Sequence, residues 1–581
     1  MKARAEPPID WTGVGLVFLT PALGESIRNR LRPPDPLSRL LRFVSIAFNF
    51  PGLLYGYDIG AMSFVLDMLT PSDSVSGVHS HHGTVTTRPH FWWDDFASRR
   101  VAQGLTMGAV SAGALLGSHI VLFHLASHVG RRTELRVAAL LYMIGSLLCY
   151  TSGTMLAQQD YWGWYSLVLG RLVIGTGVGF VMHGAPTYMA EMAPSSIRGA
   201  VVSAKETVIV LGIVLGYLVG DMVGSRNNNG SGDWTLVYWV SLAIGTPMLV
   251  LTFVIPRSKR WLLLHGHKEE ARVSMQFVYK GNINTEFEEL AASIQANRMY
   301  KQHSTAVDQG GLCGLLESRL FSKPIRPALQ AAMGLIILQQ LSGQPSLLSY
   351  ATVLFHAAGW GGHASVITAM LMLCVSITTV LLVDRLGRKR LLLTSITVLG
   401  MAAFTLSHVF WNWKNGAVHE LQSLEKTVVL IAMFVYIGAY QIGFGPITWC
   451  FVSEVFPMDV RGPATALAVE LNYAGNFVVQ FFVPLVQNKI GWGPTFLVFG
   501  CSMLTGFYFV WKKIPETAGL SLEEIEARLH RDHDDEVAAQ QPEQDVCTVL
   551  DSVSDTESNE GSPLIGGKRH LHDYTTAELS V

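Results

Sequence analysis

Twelve apolar runs, each long enough to cross a bilayer, limit what this chain can fold into. They lie near residues 43–69, 102–125, 135–153, 163–189, 200–220 and 236–255, then near 327–353, 363–383, 391–411, 427–452, 464–486 and 493–511. A bilayer core takes about 20 residues of helix. A span without water to bond its backbone must close its hydrogen bonds internally, so the runs are read as helices. Few charges, 15% of 581 residues, and a mean hydropathy of +0.32 agree with a polytopic membrane protein. The expected fold class is an all-α membrane protein with twelve transmembrane helices in two pseudo-symmetric six-helix bundles. The expected organisation is an N-terminal arm (1–40), a first bundle (41–255), a polar central loop (256–326), a second bundle (327–513) and a tail (514–581).

Orientation is read from Lys and Arg, which concentrate in cytosolic loops. The loop 126–136 holds Arg131, Arg132 and Arg136, and the loop 384–390 holds Arg385, Arg388, Lys389 and Arg390. The loops 154–162 and 355–362 hold none. Both termini and the central loop are therefore expected in the cytosol. The sequon Asn229-Gly230-Ser231 falls on the opposite side, where glycosylation at Asn229 is possible. No cleavable leader is expected, because the apolar stretch 14–23 is short, contains Pro21 and is followed by Arg28, Arg30 and Arg32.

The halves repeat one another. Gly130-Arg131-Arg132 follows the second run and Gly387-Arg388-Lys389 the eighth; Glu191 and Arg198 follow the fourth, Glu454 and Arg461 the tenth. Internal repeats of this kind place a site near midplane between the halves. The repeated charges, with Asp384, are read as a cytosolic gate rather than as substrate chemistry: Arg131, Arg132, Glu191, Arg198, Asp384, Arg388, Glu454 and Arg461.

One acid stands out in the first run, P-G-L-L-Y-G-Y-D-I-G-A-M. Asp58 lies opposite the face formed by Gly52, Gly56 and Gly60. An aspartate at a helix centre costs about 2.5–3.5 kcal/mol on insertion scales, so it calls for water or a partner. A static interhelical ion pair meets that need, and so does a titrating group in a solute path. Other ionisable residues inside the runs include Arg171 in the fourth and Glu206 in the fifth.

The remaining buried polarity is mostly amide. The seventh run carries Gln339, Gln340 and Gln344 around Gly343 and Pro345. The tenth carries Gln441, Gly443, Gly445, Pro446 and Trp449, and the eleventh Glu470, Asn472 and Asn476. Gly and Pro interruptions in corresponding runs of both halves point to broken helices lining a site. Amides offer a donor and an acceptor, as a sugar hydroxyl does, and Trp449 offers a flat apolar face. Each amide alone serves equally well as interhelical glue. Gln339, Gln340, Gln344, Trp449, Asn472 and Asn476 together are read as a binding site for a neutral polyhydroxylated solute. No basic cluster suggests nucleic acid, and no cysteine spacing suggests a metal or a disulfide framework. His79, His81, His82 and His90 share one loop without ligand-like spacing. No nucleophile–base set or phosphate loop appears, so an enzyme is not expected.

From about residue 43 to 526 the chain resembles the sugar porters of the major facilitator superfamily. The motifs are G-R-L-V-I-G-T-G-V-G, Y-M-A-E-M-A-P-S-S-I-R-G, Q-Q-L-S-G-Q-P, D-R-L-G-R, G-P-I-T-W, S-E-V-F-P-M-D-V-R-G and P-E-T-A-G-L-S-L-E-E-I-E. A-P-T-Y-M-A-E-M-A-P with S-A-K-E-T-V-I-V-L-G is similar to the plant vacuolar glucose and D-xylose–proton-symporter-like branch. The resemblance implies the major facilitator fold and proton-coupled transport of a monosaccharide, with the proton as coupling ion and no other cofactor. It implies that Asp58 is the coupling acid, that Arg171 is its partner, and that Gln339, Gln340, Trp449, Asn472 and Asn476 contact sugar. Two departures bear on the site. Glu206 stands where many relatives carry a sugar-binding Gln, adding a second candidate proton site, and Pro345 replaces a sugar-contacting Asn. At the gate, Pro256–Trp261 reads P-R-S-K-R-W in place of P-E-S-P-R-W, and Ser127 and His128 replace an acid-bearing stretch.

The rival readings are a facilitative uniporter, with Asp58 and Arg171 as a fixed pair, and a non-transporting sugar receptor. In the tail, Glu560, Leu564 and Ile565 form an acidic dileucine-type pattern. That pattern points to sorting adaptors and a vacuolar or endolysosomal membrane, with the plasma membrane as the alternative.

Overall fold

The computed structural model describes residues 36–69, 99–125, 129–153, 162–192, 198–225, 234–278, 325–411, 423–456 and 460–517, with scattered positions in 284–321 and residue 524. Asn229, Glu560, Leu564 and Ile565, and the loop histidines, lie outside the described residues, as do the side chains of Arg198 and Asp384. Among the described residues every regular element is helical. The first half contains α1 (Pro36–Leu69), α2 (Arg100–Ile120), α3 (Arg131–Thr151), α4 (Trp162–Met192), α5 (Arg198–Ser225) and α6 (Leu236–Val254). Two short helices follow, α7 (Lys259–Leu264) and α8 (Lys268–Val278). The second half contains α9 (Arg326–Leu341), α10 (Gln344–Ala357), α11 (His363–Leu386), α12 (Arg388–Trp411), α13 (Ser423–Ile442), α14 (Phe444–Val455), α15 (Arg461–Ile490) and α16 (Trp492–Lys513).

Counting α9–α10 and α13–α14 as one span each, the two halves hold six spans apiece. Among the described residues nine segments are long and apolar enough to cross a membrane by length and composition. The other three have physical reasons to fall short of that measure. Two acids, Asp58 and Asp67, lie on α1, α2 is rich in Gly and Ser, and α9 and α10 are each shorter than a span.

Small residues set the packing, because helices in lipid gain by close contact rather than by hydrophobic exclusion. The glycine face of α1 lies on α5: a Cβ at Gly56 would sit 1.8 Å from the Ile209 carbonyl oxygen, and one at Gly60 2.4 Å from that of Ile213. α5 reciprocates, since a Cβ at Gly212 would lie 2.2 Å from the Leu53 carbonyl oxygen. Gly113 of α2 and Gly175 of α4 make the same kind of contact, with distances of 2.1 Å to Leu172 O and to Val110 O. Across the halves, α2 lies along α15, α5 along α11 and α1 along α10.

Three expectations are adjusted. Helix α1 begins at Pro36, inside the stretch read as the arm. The central stretch is not only loop: α7 and α8 bury Leu262, Leu263, Ala271 and Met275 in a small cluster with Phe287 and Ile294. Helix breaks in the described spans occur in the second half alone. Gly343, at φ +77, separates α9 from α10, and Gly443 separates α13 from α14 just before Pro446. Pro186 leaves α4 continuous, with the neighbouring Thr187 hydroxyl bonding the His183 carbonyl at 2.8 Å.

Candidate functional site

Asp58 and Arg171 meet inside the first half. Arg171 Nη1 is 3.4 Å from Asp58 Oδ1, and the two side chains are 4% and 6% exposed respectively. The guanidinium also donates through Nε to the Thr106 carbonyl at 2.7 Å. Arg171 therefore keeps one neutral partner when the carboxylate changes charge. Tyr142 and Tyr57 lie close to Asp58, but their hydroxyls donate to backbone, Tyr142 to Leu54 O and Tyr57 to Val237 O.

A second polar group gathers where the two broken spans face α5 and α15. Gln339 Nε2 donates to the Phe444 carbonyl at 2.7 Å, and Gln340 Nε2 to Asn472 Oδ1 at 2.7 Å. Both glutamines are buried, and the Oε1 atom of each has no hydrogen-bond partner among the described residues. The same is true of Gln441 Nε2, on a side chain 1% exposed. Tyr440 approaches Gln339 and Glu206 approaches Gln441, yet neither pair reaches hydrogen-bond geometry at these amide atoms. Leaving a buried polar atom unmade costs about 1–3 kcal/mol each. Two acceptors and one donor left open in one region are an arrangement that a ligand hydroxyl satisfies. Half-buried Trp449 borders this region, with the Lys205 amine 5.4 Å from its ring centroid.

Not every expected residue converges there. Asn476 lies one turn beyond Asn472, and its Oδ1 accepts from Ser111 Oγ at 2.6 Å and from Gln480 Nε2 at 2.7 Å. It therefore joins α15 to α2. Gln344 is buried at the start of α10. Glu470 turns away from Asn472 and meets His119 of α2 at 3.2 Å. Tyr55, Lys205 and Tyr440 were not read as site residues. Their signal was available: a tyrosine three residues before Asp58, a tyrosine next to Gln441, and a lysine inside an apolar run.

The expected gate residues lie at the arginine-rich end. Arg131 pairs with Glu134 at 2.6 Å and with Glu191 at 4.0 Å, and Arg388 with Glu454 at 3.1 Å. Ser258 hydrogen-bonds Glu191, and Thr517 Oγ1 donates to Glu454 at 2.7 Å. Two other arginines bond carbonyls instead of acids. Arg132 caps the end of α6 through Thr252 O and Phe253 O, and Arg461 donates to Phe456 O. A cavity of about 240 Å³ at this end is lined by Arg131, Arg132, Arg257, Ser258 and Trp261 among others, away from the amides.

The fold and this geometry define a class: a polytopic helical membrane protein of two repeated bundles, with buried polar groups where they meet. Residues 44–529 match the family model described as "Sugar (and other) transporter", and the chain belongs to that family. D-xylose-proton symporter-like 2 of Arabidopsis thaliana is 36% identical over 503 residues, covering 83% of this chain and 90% of that protein. D-xylose-proton symporter-like 3, chloroplastic, of the same plant is 35% identical over 548 residues, 91% of this chain and 85% of that protein. The inward open conformation of the xylose transporter XylE from E. coli aligns with a TM-score of 0.64 at 24% identity, over 84% of this chain and 99% of that one, which shows a shared fold.

Proposed function

We propose that this chain carries a monosaccharide across a membrane together with a proton, by alternating access between its two bundles. The observation that carries the reading is the set of buried, unpartnered amide atoms at Gln339, Gln340 and Gln441, enclosed by broken helices. Their donors and acceptors suit ring hydroxyls, and the Trp449 face suits the C–H side of the ring. Family membership and the D-xylose-proton symporter-like proteins among the relatives support both the sugar and the proton.

The coupling step is assigned to Asp58 and Arg171. Burial favours a neutral acid, and a facing guanidinium favours the carboxylate. The balance therefore shifts with any movement that opens the pair. In the proposed cycle the acid takes a proton from the extracytosolic side, Arg171 is released to its Thr106 carbonyl, and the sugar-loaded bundles close. Opening to the cytosol restores the pair and expels the proton. Glu206, beside Lys205 and Gln441, is the second candidate for this role. A vacuolar or endolysosomal membrane, whose lumen is acidic, would drive sugar toward the cytosol. The experiment is uptake of radiolabelled D-xylose and D-glucose into proteoliposomes, with and without an imposed pH gradient. Accumulation only with the gradient supports the reading; equilibration unaffected by it supports a uniporter.

A further inference from the structure

The two halves are also joined at the end opposite the arginine-rich loops, by groups that the transport reading does not use. Helices α1, α5 and α10 end there, and α11 begins. Polar contacts mark the seam in steps toward that face. The Tyr217 hydroxyl donates to the Leu348 carbonyl at 2.8 Å, and the Ser63 and Thr352 hydroxyls meet at 2.9 Å. Beyond them His356 Nδ1 lies 3.0 Å from Asp67 Oδ2, and His363 Nδ1 lies 2.8 Å from Asp221 Oδ2. Each imidazole comes from the second half and each carboxylate from the first.

The local sequence builds this approach. The turn between α10 and α11 reads Gly359-Trp360-Gly361-Gly362, with Gly359 at φ +82. A Cβ at Gly362 would sit 2.7 Å from Asp221 Oδ1, so the glycine leaves the carboxylate room that a side chain would make it give up. The Trp360 indole donates to the Lys426 carbonyl at 3.0 Å, which ties the turn to α13. The charged groups facing the turn are Asp67 on α1, Asp221 on α5 and Lys426 on α13, with Glu425 next to Lys426 in the chain; Arg100 of α2 faces Tyr350. Among the described residues no three His, Cys, Asp or Glu side chains converge as a metal site would require.

We propose that His356 and Asp67, with the His363–Asp221 contact beside them, form a proton-operated latch across this mouth, held shut by acid and released near neutrality. A lysine or arginine at the His356 position would hold the mouth at every physiological pH, whereas an imidazole changes charge within that range. His356, at the end of α10 and 38% exposed, has the Asp67 carboxylate beside it while the mouth is closed, and that partner favours the charged imidazole. A group raised in the closed form stabilises that form below its open-form value. That stability is lost as pH rises through the closed-form value. Acid at this face therefore favours closure.

The latch does not depend on which solute is carried; its effect on flux rests on the transport reading. The test is spin-label distance measurement in nanodiscs on a cysteine-free protein labelled at Met222→Cys and Leu424→Cys, positions 65% and 73% exposed. Asp58→Asn and Glu206→Gln are included so that the buried acids do not titrate. Between pH 7.5 and 5.5 the ratio of closed to open distances should rise by about 1.5- to 5-fold per pair, the range for exposed ion pairs. His356→Gln with His363→Gln should remove that rise. Asp67→Asn, which keeps both imidazoles, should reduce it. A rise that persists without the histidines, or that is unchanged in Asp67→Asn, overturns the latch, and so does a histidine-containing protein whose distances ignore pH. Absence of D-xylose and D-glucose flux in the unmodified protein would count against the transport reading and leave the distance result standing.

Discussion

Replacing Asp58 by Asn removes one charge and keeps the shape of the side chain. At 3.4 Å and an effective dielectric of about 20, the direct attraction between Asp58 and Arg171 is about 5 kcal/mol before desolvation is subtracted. Breaking a buried pair from one side strands the other charge and costs about 3–5 kcal/mol. Here the cost is softened, because Arg171 retains its bond to Thr106 O and Asn still offers an acceptor. The variant is expected to fold and to mimic a permanently protonated acid. Its functional effect follows from the driving force. One pH unit is worth about 1.4 kcal/mol, so two units support a sugar ratio of roughly 100 at one proton per sugar. In proteoliposomes under that gradient the wild type should accumulate labelled sugar toward this limit, whereas Asp58→Asn should stop at equal concentrations. Sugar–sugar exchange should survive in the variant, which separates lost coupling from lost folding. If Asp58→Asn still concentrates sugar, coupling does not reside at Asp58, and Glu206 becomes the residue to replace.

Gln340→Ala removes the bond to Asn472 and one open acceptor; apparent sugar affinity should fall about 2- to 12-fold, the equivalent of 0.5–1.5 kcal/mol. Trp449→Ala should weaken binding at least as much through lost ring packing, and unchanged equilibrium binding in both variants would remove these residues from the site. Gly56→Ala places a methyl 1.8 Å from the Ile209 carbonyl oxygen, so the α1–α5 contact must open, at a cost of about 1–3 kcal/mol; a melting temperature in detergent equal to wild type would contradict this. Leu564→Ala with Ile565→Ala should redistribute the protein from internal membranes toward the cell surface, as fluorescence imaging would show; an unchanged internal distribution would count against the sorting pattern.

Much of the architecture was legible because the bilayer leaves few alternatives. Spans must be long, apolar and helical, and their number follows from counting runs. Gly343 and Gly443 announced the breaks in α9–α10 and α13–α14, since each sits beside polar residues in an otherwise apolar run. Pro186 sent the same signal without a break, so a helix breaker alone does not decide the matter. The short helices α7 and α8 were hidden because their apolar positions form only a small cluster within a polar stretch. Long-range partners were the least legible. Glu470 faced away from Asn472 by helical spacing, but nothing local named His119 as its partner. Asp67 with His356 and Asp221 with His363 lie far apart in the chain and meet only once the halves are packed. Arg461 shows the converse: its repeat of the Arg198 position suggested an acidic partner, and it bonds the Phe456 carbonyl instead.

Coupling at Asp58 requires that proton and sugar move together. Purified wild-type protein in proteoliposomes, exposed to a sugar it transports with no initial pH difference, should carry protons inward with the solute. A pH-sensitive dye trapped in the lumen should then report acidification that depends on sugar concentration and disappears in Asp58→Asn. Sugar entry at an undiminished rate with no luminal acidification in the wild type would contradict coupling, and Asp58 and Arg171 would then be a fixed structural pair.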